Sequence, residues 1–374
     1  MANTLKLGAG KWATGTDTVL AFNDENNNFK PLPFSFSRAS SATVVNQSGL
    51  IETVGSGTPR IDFLGNTKGA LLLEPTRTNL ATLSENFSGW SNISNATVTS
   101  NYTISPEGVI NATRLQFTGN GYLFNLNSPA QVNGTQYTLS CYAKRNDNET
   151  QSFGFFSNGS TTVDNAMVLT NEWKRFYYTY TASNALQLGL SGSSGADVSV
   201  YGFQVESNSS YPTSIIPTSG SAVTRVLESN ILGSPISLDN NFSLFWDGLV
   251  LETDIMLYGS GTNAWYMNYE TLTGRIILDE PTSGGRKIQA YLGSGAPAGI
   301  KTKILLIRNG GVHSVFANGT KLTANISVNS TSTLSLSSMF WAFSSSFNKG
   351  LKVNDSQIFK IALTDAEAIA LTTI

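Results

Sequence analysis

The chain has 374 residues, 13% of them charged, and a formal net charge of -2. Soluble proteins usually carry about 25% charged residues, so solubility here rests on hydroxyl and amide side chains. The near-neutral charge argues against a groove that tracks the phosphates of a nucleic acid and against a polybasic membrane patch.

Cysteine content and hydropathy further restrict the class of protein. Cys141 is the single cysteine, which excludes an internal disulfide framework. It lies in an alternating strand pattern, so we expect a buried core residue rather than a nucleophile. Residues 1–15 contain no signal-like apolar run, and no segment approaches the roughly 20 apolar residues of a membrane span. We therefore expect a protein that folds in a cytoplasm and does not insert into a membrane.

Residues 1–80 are rich in turn formers and are predicted to form an irregular N-terminal arm with short strands. Two strings stand out, PRIDF at residues 59–63 and LLLEPTRTNL at residues 71–80. They resemble a module of tailed-bacteriophage structural proteins, in which a PRIDY-like strand precedes an LLLEP-R-TNL segment. This resemblance implies that the arm attaches the protein to a virion.

Three arginines of the arm, Arg38, Arg60 and Arg77, are candidates for that attachment. Arginine forms planar, forked hydrogen bonds that suit both ion pairs and subunit interfaces. One interpretation is internal, with salt bridges to residues such as Asp62 or Glu74. The other is that the arginines grip a neighbouring virion subunit, and both roles can hold together.

Residues 81–211 are predicted to form one all-β jelly roll, because short strand patterns alternate with Gly, Asn and Ser turns. The order of ENFSGW, YTLSCYAKR and VYGFQVE resembles the carbohydrate-binding jelly rolls of glycosidases and phage proteins. The resemblance implies a candidate structural calcium ion, for which Glu85 and Glu206 are the matching carboxylates. The alternative is that both are simple surface carboxylates.

Residues 212–225 are predicted to form a proline-containing strap. Pro212 and Pro217 cannot donate ladder hydrogen bonds, so the segment should run extended and poorly paired. The string TSIIPTSGSAVTR, residues 213–225, resembles a segment that follows a jelly roll in phage structural proteins. We expect a domain boundary here, with Phe203 and Val205 in the preceding core.

Residues 226–374 are predicted to form a second β-sandwich. Asn309 and Gly310 mark a hairpin turn, and Thr364 with Glu367 forms a capping box for a short C-terminal helix. The pattern resembles concanavalin-A-like and laminin-G-like sandwiches. The predicted fold is therefore all-β, with two β-sandwich domains after the arm and one terminal helix.

Candidate sugar contacts lie in this last domain. A flat ring stacks on a pyranose face while amides bind its hydroxyls, so the candidates are Trp265, Tyr266, Asn268 and Trp341. Period-2 alternation places Trp265 on one face of its strand and Tyr266 with Asn268 on the other. One face must be core, so burial is the competing interpretation for each tryptophan.

Catalysis has little support. His313 is the only histidine, and no nucleophile elbow surrounds it. The carboxylates Asp254, Asp279 and Glu280 lie in no recognisable glycosidase motif. We expect no enzyme activity and no cofactor beyond the candidate calcium ion.

The leading hypothesis is a structural virion protein of a tailed phage, in a head fibre, tail fibre or baseplate. Its expected partners are other virion proteins, further copies of this chain with a trimer favoured, and a host surface glycan bound through avidity. A bacterial carbohydrate-binding or adhesin protein is the alternative, and a glycan depolymerase is a third hypothesis.

Overall fold

The computed structural model describes residues 4–23, 32–147, 151–157, 166–183, 187–228, 231–252, 254–260, 264–281, 284–293, 299–340 and 349–374. These residues are all-β apart from a 3-10 turn and one α-helix, which confirms the predicted fold class. The chain forms two compact units. The first contains Met1–Ser41, Val54–Pro75 and Val226–Ile374, and the second contains Ala42–Thr53 and Thr76–Arg225.

The strands are numbered in chain order. The early ones are β1 (Thr4–Gly8), β2 (Ala13–Gly15), β3 (Thr18–Asn23), β4 (Leu32–Ser35), β5 (Ala42–Val45), β6 (Ile51–Val54), β7 (Arg60–Asp62), β8 (Ala70–Leu73) and β9 (Arg77–Asn79). A 3-10 turn at Phe87–Gly89 precedes β10 (Asn92–Ile104), β11 (Ile110–Phe124), β12 (Gln136–Arg145), β13 (Phe153–Ser157), β14 (Lys174–Thr181), β15 (Leu188–Gly192), β16 (Asp197–Ser207) and β17 (Val223–Arg225).

The remaining elements belong to the first unit. They are β18 (Ile231–Leu238), β19 (Phe242–Val250), β20 (Ile255–Gly259), β21 (Tyr266–Glu270), β22 (Arg275–Glu280), β23 (Gly285–Tyr291), β24 (Lys301–Asn309), β25 (Val312–Ala317), β26 (Thr320–Lys321), β27 (Ala324–Ser327), β28 (Leu334–Met339), β29 (Leu351–Phe359) and α1 (Asp365–Thr372).

The first unit is a sandwich of two antiparallel sheets. In sheet 1, β29 pairs with β19 on one side and with β1 and β8 on the other, and β24, β25 and β26 continue beyond β19. Sheet 2 runs β27-β23-β22-β21-β20-β28-β18-β4-β3-β2. Side chains from both sheets, such as Trp246 and Trp265, form one buried core. Because side chains alternate along a strand, β19 also has an outward-facing side that this core does not cover.

Part of the outer face of sheet 1 is covered by α1. Phe245, Leu305 and Phe359 form a small apolar cluster with Ala368 of the helix. The capping box is present, because Thr364 accepts from the Glu367 N–H and the Glu367 carboxylate accepts from the Thr364 N–H. Both the helix and its cap were predicted and are confirmed. Of the helices described, none is long and apolar enough to span a bilayer.

The second unit is a seven-stranded antiparallel sheet folded on itself. The first half of the long strand β11 pairs with β16, its second half pairs with β15, and β10 runs beside both halves. The strand order is β13-β15-β11-β16-β12-β14. Rings from different strands meet in the interior, with the Phe155 and Phe203 centroids 6.3 Å apart. Phe203, Val205 and Cys141 are buried in this core, as predicted.

The units divide the chain differently from the predicted ranges. Residues 1–80 supply strands to both units rather than forming an arm of their own, since β1 and β8 pair with β29. Leu71 and Leu73 of β8 enter the core of the first unit. Short strands with one apolar face are unstable alone and are stabilised by pairing with a larger sheet. The end of the predicted strap is likewise paired, as β17 with β9.

A buried ion network joins the three chain segments of the first unit. Glu228 Oε1 accepts from Arg38 Nη1 at 2.9 Å and from Arg60 Nε at 2.6 Å. Its Oε2 accepts from Arg60 Nη2 at 2.6 Å and from the Glu74 N–H at 2.7 Å. Arg60 Nη1 also pairs with Glu74 Oε2 at 2.8 Å. We call these four residues the Glu228 network.

All four members are buried, and their formal charges cancel. Burial by itself lowers the pKa of Arg60, but the charges of Glu228 and Glu74 outweigh it and hold that pKa above its ordinary value. Arg38 also donates to the backbone carbonyls of Gly55 and Thr58. The internal role proposed for Arg38 and Arg60 is therefore the one that the structure shows.

Replacing Glu228 with Gln should destabilise the protein strongly. The variant leaves two buried guanidinium groups facing one carboxylate, and breaking a buried pair in this way costs about 3–5 kcal/mol. The free energy of unfolding in urea measures the change. Asp365→Asn is the control, because the exposed pair of Asp365 with Lys321 should contribute less than about 1 kcal/mol. Equal small losses in the two variants would contradict a structural role for the network.

Candidate functional site

The predicted sugar contacts do not form a site together. Trp265 is buried in the first unit's core, where its indole N–H donates to the Ser335 carbonyl at 2.9 Å. Its ring presents no free face to a sugar, which corrects its assignment as a glycan contact. Tyr266 and Asn268 lie on the opposite face of β21, as the alternation predicted, but Asn268 is buried. Trp341 lies outside the described residues.

The carboxylates predicted to hold calcium have separate protein partners. Glu206 is fully buried and accepts from Thr213 Oγ1 at 2.5 Å, from the Thr213 N–H at 3.0 Å and from Gln204 Nε2 at 2.9 Å. Burial raises the pKa of Glu206. Glu85 accepts from the Tyr201 hydroxyl at 3.2 Å. Over the described ranges, no group of three or more His, Cys, Asp or Glu side chains could hold a metal ion. Calcium binding stays an untested prediction.

The other residues considered from the sequence, Arg77, Cys141 and His313, are either bonded to or buried within the protein itself. Arg77 Nη1 donates to the Thr76 carbonyl at 3.1 Å, at the edge of the two-stranded β9–β17 pair. Burial raises the pKa of the Cys141 thiol. His313 is buried, and its Nε2 accepts from Arg308 Nε at 3.1 Å. Burial and the Arg308 charge lower the pKa of His313 to about 4, so the ring is neutral at neutral pH and already engaged as an acceptor.

A groove of about 610 Å³ lies on the outer face of sheet 1, in the part not covered by α1. We call it the outer-face groove. It belongs wholly to the first unit. Its lining consists of Ala9, Leu64, Gly65, Asn66, Lys68, Ala70, Asp247, Leu249, Lys301, Lys303, Lys352, Asn354 and Asp355.

Strand register arranges the floor of the groove in two cross-strand rows. In one row Asp355, Asp247 and Lys303 are successive partners on β29, β19 and β24. In the other row Leu249 lies between Lys352 and Lys301. Partners directly opposite in a sheet have Cβ atoms about 4.5–5.5 Å apart. The floor therefore presents acids, ammonium groups and one leucine within the span of a small saccharide.

The wall of the groove comes from the turn between β7 and β8. The Asn66 side chain accepts from the Lys68 N–H at 3.0 Å and donates to Asn354 Oδ1 at 2.8 Å. Gly69 ends the turn with φ of +70°, and a Cβ there would lie 2.6 Å from Ile61 Cγ2. A side chain at that position would thus be strained and would clash, so glycine is required to close the turn.

Several polar groups in the groove are already paired. Asn354 Nδ2 donates to Asp247 Oδ1 at 2.9 Å, and Lys301 Nζ lies 3.4 Å from Asp247 Oδ2. Lys352 Nζ lies 2.5 Å from Asp62 Oδ2. Lys303 Nζ donates to the Thr373 carbonyl at 2.6 Å. The shorter of these contacts fix the side chains of Asn354, Lys352 and Lys303 in position.

Asp355 is the exception in this lining. Its Oδ2 accepts from Gln357 Nε2 at 2.7 Å, while its Oδ1 is buried with no hydrogen-bond partner in the part of the chain that the structure describes. Burial, together with the charge of Asp247, raises the pKa of Asp355 from 3.8 to about 6. A buried acceptor without a donor is destabilising.

Sequence reasoning missed this groove. The alternation of Lys301 and Lys303 in β24 and of Lys352 in β29 marks outward-facing polar positions. Nothing local in the sequence shows that these strands flank β19. The bulge at Asn354 of β29, opposite Asp247 and Gly248, sets Lys352 and Asp355 on the same face and also leaves no clear local signal.

Comparisons with known proteins give only distant likenesses. The carbohydrate-binding module CBM40 of the Ruminococcus gnavus IT-sialidase, bound to alpha2,3-sialyllactose, is 12% identical with a TM-score of 0.30, and the match covers 39% of this chain and 97% of that one. Domain 4 of the Geobacillus stearothermophilus GH43 arabinanase, in complex with arabinotriose, is 12% identical with a TM-score of 0.31, covering 44% and 84%. The receptor-binding domain of botulinum neurotoxin type G is 14% identical with a TM-score of 0.26, covering 38% and 40%.

At these TM-scores the likenesses carry no argument about the function of this chain, and its sandwich fold is established by its own strand pairing. No protein-family model matches the chain, and no curated protein matches it in sequence. The protein is an all-β chain with a polar groove on one sandwich, and its function is inferred from that groove.

Asp355→Asn should change how stability depends on pH. The folded-state pKa lies above the unfolded value, so the stability that Asp355 contributes is present below pH 3.8 and is lost as pH rises through about 6. The amide stays neutral throughout. We expect the variant to match the wild type near pH 3 and to exceed it by about 2–3 kcal/mol near pH 7. Urea unfolding at both pH values measures this, and a difference independent of pH would contradict the assignment.

Proposed function

We propose that the protein binds glycans through the outer-face groove of its first unit. The observation that carries the proposal is the mixed floor of a groove of about 610 Å³, where carboxylates, ammonium groups, amides and Leu249 converge. Sugars present hydroxyls that both donate and accept, together with small apolar patches of C–H groups. A lining with fixed donors, fixed acceptors and one apolar residue is complementary to such a ligand.

The groove is better suited to binding than to hydrolysis. A glycosidase places two carboxyl groups on either side of the scissile bond. Asp247 and Asp355 are direct partners on neighbouring strands of one sheet face, so both approach a bound sugar from the same side. Asp247 is also engaged by Asn354 and Lys301, which suits a fixed acceptor.

Filling the groove should abolish glycan binding. Leu249→Trp places a large side chain on the floor between Lys352 and Lys301, and we expect at least a tenfold loss of affinity on a glycan array followed by calorimetry. Leu272→Trp is the matched control, because Leu272 is 74% exposed and does not line the groove. Binding that survives Leu249→Trp unchanged in a folded protein would remove the groove as the site. Release of reducing ends from a bound glycan would indicate a depolymerase instead.

The larger setting that we propose is a virion of a tailed phage, on which many copies would bind glycans by avidity. Support comes from the sequence resemblance of residues 59–63, 71–80 and 213–225 to segments of phage structural proteins. A bacterial adhesin with the same groove is the competing proposal. The two differ in where the protein is found and not in the chemistry of the groove.

Particle composition separates these settings. We expect the chain to co-sediment with intact phage particles through a density gradient and to remain after a high-salt wash, as detected by mass spectrometry. A known capsid protein serves as the positive control. Recovery only on the surface of uninfected bacteria would contradict the virion setting and support the adhesin.

A further inference from the structure

The outer-face groove has more ammonium groups than carboxylates. Four lysines line it against Asp247 and Asp355. Lys352 pairs with Asp62. When Asp62 is counted as a third carboxylate, the four lysines still outnumber the acids. The pair between Lys301 and Asp247 is long, at 3.4 Å, and the Lys301 side chain is 46% exposed. Exposed pairs of this kind are weak, so a ligand anion can compete for Lys301 at little cost.

We propose that the groove takes a saccharide that bears a carboxylate, with the carboxylate at Lys301 and Lys303, and that protonation of Asp355 strengthens its binding. This inference rests on the proposed glycan-binding function. Lys301 and Lys303 stand two residues apart on one face of β24, which separates their Cα atoms by about 7 Å. The exposed Lys68 stands on the wall of the same groove.

The position of the two acids indicates how the rest of the sugar binds. Asp355 is two strands away from Lys303 in the same cross-strand row. A sugar carboxylate at β24 therefore brings ring hydroxyls over Asp247 and Asp355.

The lining favours a carboxylate over a phosphate ester. Asp247 and Asp355 both line the groove, and they repel a doubly charged phosphate more strongly than a singly charged carboxylate. A carboxylate on a hydroxyl-rich ring fits this charge distribution.

Asp355 supplies the pH dependence. The charged groups that face it from the surrounding elements are Lys6 on β1, Lys68 on the wall turn, Asp247 on β19, Lys301 and Lys303 on β24, and Lys352 on its own strand. Its pKa of about 6 means that it loses its negative charge on mild acidification. Sugar carboxylates, like other ordinary carboxylic acids, stay ionised at that pH. Removing one negative charge about 10 Å from the ligand carboxylate, the span of two strand spacings, is worth about a twofold change in affinity at the dielectric of water.

The test pairs each acidic glycan with the same glycan whose carboxyl group has been reduced to an alcohol. Titration calorimetry at low salt is run at pH 7.5 and pH 5.5 with the full chain. We expect the acidic glycan to bind about twofold more tightly at pH 5.5 and the reduced one to bind at least tenfold more weakly at both pH values. Asp355→Asn should bind at pH 7.5 as tightly as the wild type does at pH 5.5, with no further gain on acidification.

The lysines are tested in parallel. Lys301→Met with Lys303→Met should cost at least tenfold in affinity for the acidic glycan, whereas Lys360→Met, an exposed lysine that does not line the groove, should leave it unchanged. Equal binding of acidic and reduced glycans would overturn the carboxylate specificity while leaving glycan binding intact. Preference for sulfated glycans would overturn it as well. A pH effect that persists in Asp355→Asn would overturn the role of Asp355, and the absence of any glycan binding would overturn the proposed function itself.

Discussion

The first unit depends on one buried carboxylate. Its three chain segments are far apart in sequence, and Glu228 is 190 residues from Arg38 and 168 from Arg60. The Glu228 network joins a residue from each segment. The entropy cost of bringing such distant segments together grows only slowly with loop length. Each segment must nevertheless contribute its charged side chain, because an incomplete buried ion network is strongly destabilising. The network therefore links the three segments of this unit, and the loss of any one charge should destabilise the unit.

The groove follows from the same constraint. Arg60 lies on β7 and Glu74 follows β8 directly, so the network fixes both ends of the hairpin whose turn walls the groove. β8 then pairs with the first part of β29, and β1 pairs with its last part. The floor residues occupy the outer face of the sheet between the hairpin and the region that α1 covers. An apolar cluster under the helix and a polar groove beside it thus share one sheet face.

Local signals predicted much of the secondary structure. The hairpin of β24 and β25 turns at Gly310 and Gly311, within a residue of the predicted turn, because positive φ strongly favours glycine. The Thr364 capping box and the alternation around Trp265 are likewise local patterns that the structure confirms. The structure of residues 1–80 was harder to predict from the sequence. Their strands have only three to six residues, and the sheet to which such a short strand belongs depends on the distant strands that pair with it.

The residues of the site could not be predicted from the sequence, because strand pairing between distant segments determines which side chains come together. The aromatic residues selected as sugar contacts obey the correct strand period, yet the period does not say which face becomes core, and Trp265 lies on the buried one. Arg38 and Arg60 were correctly expected to form ion pairs, but their main partner, Glu228, lies in a different segment with no distinguishing motif. The groove residues are unremarkable lysines, aspartates and asparagines until β29, β19 and β24 are placed side by side.

A crystal structure of the protein with a bound acidic oligosaccharide tests the central claim most directly. The account predicts electron density for the sugar over Leu249, with its carboxylate between Lys301 and Lys303 and its ring extending over Asp247 toward Asp355. Density for the same ligand at another surface, with the outer-face groove filled only by solvent, would contradict it.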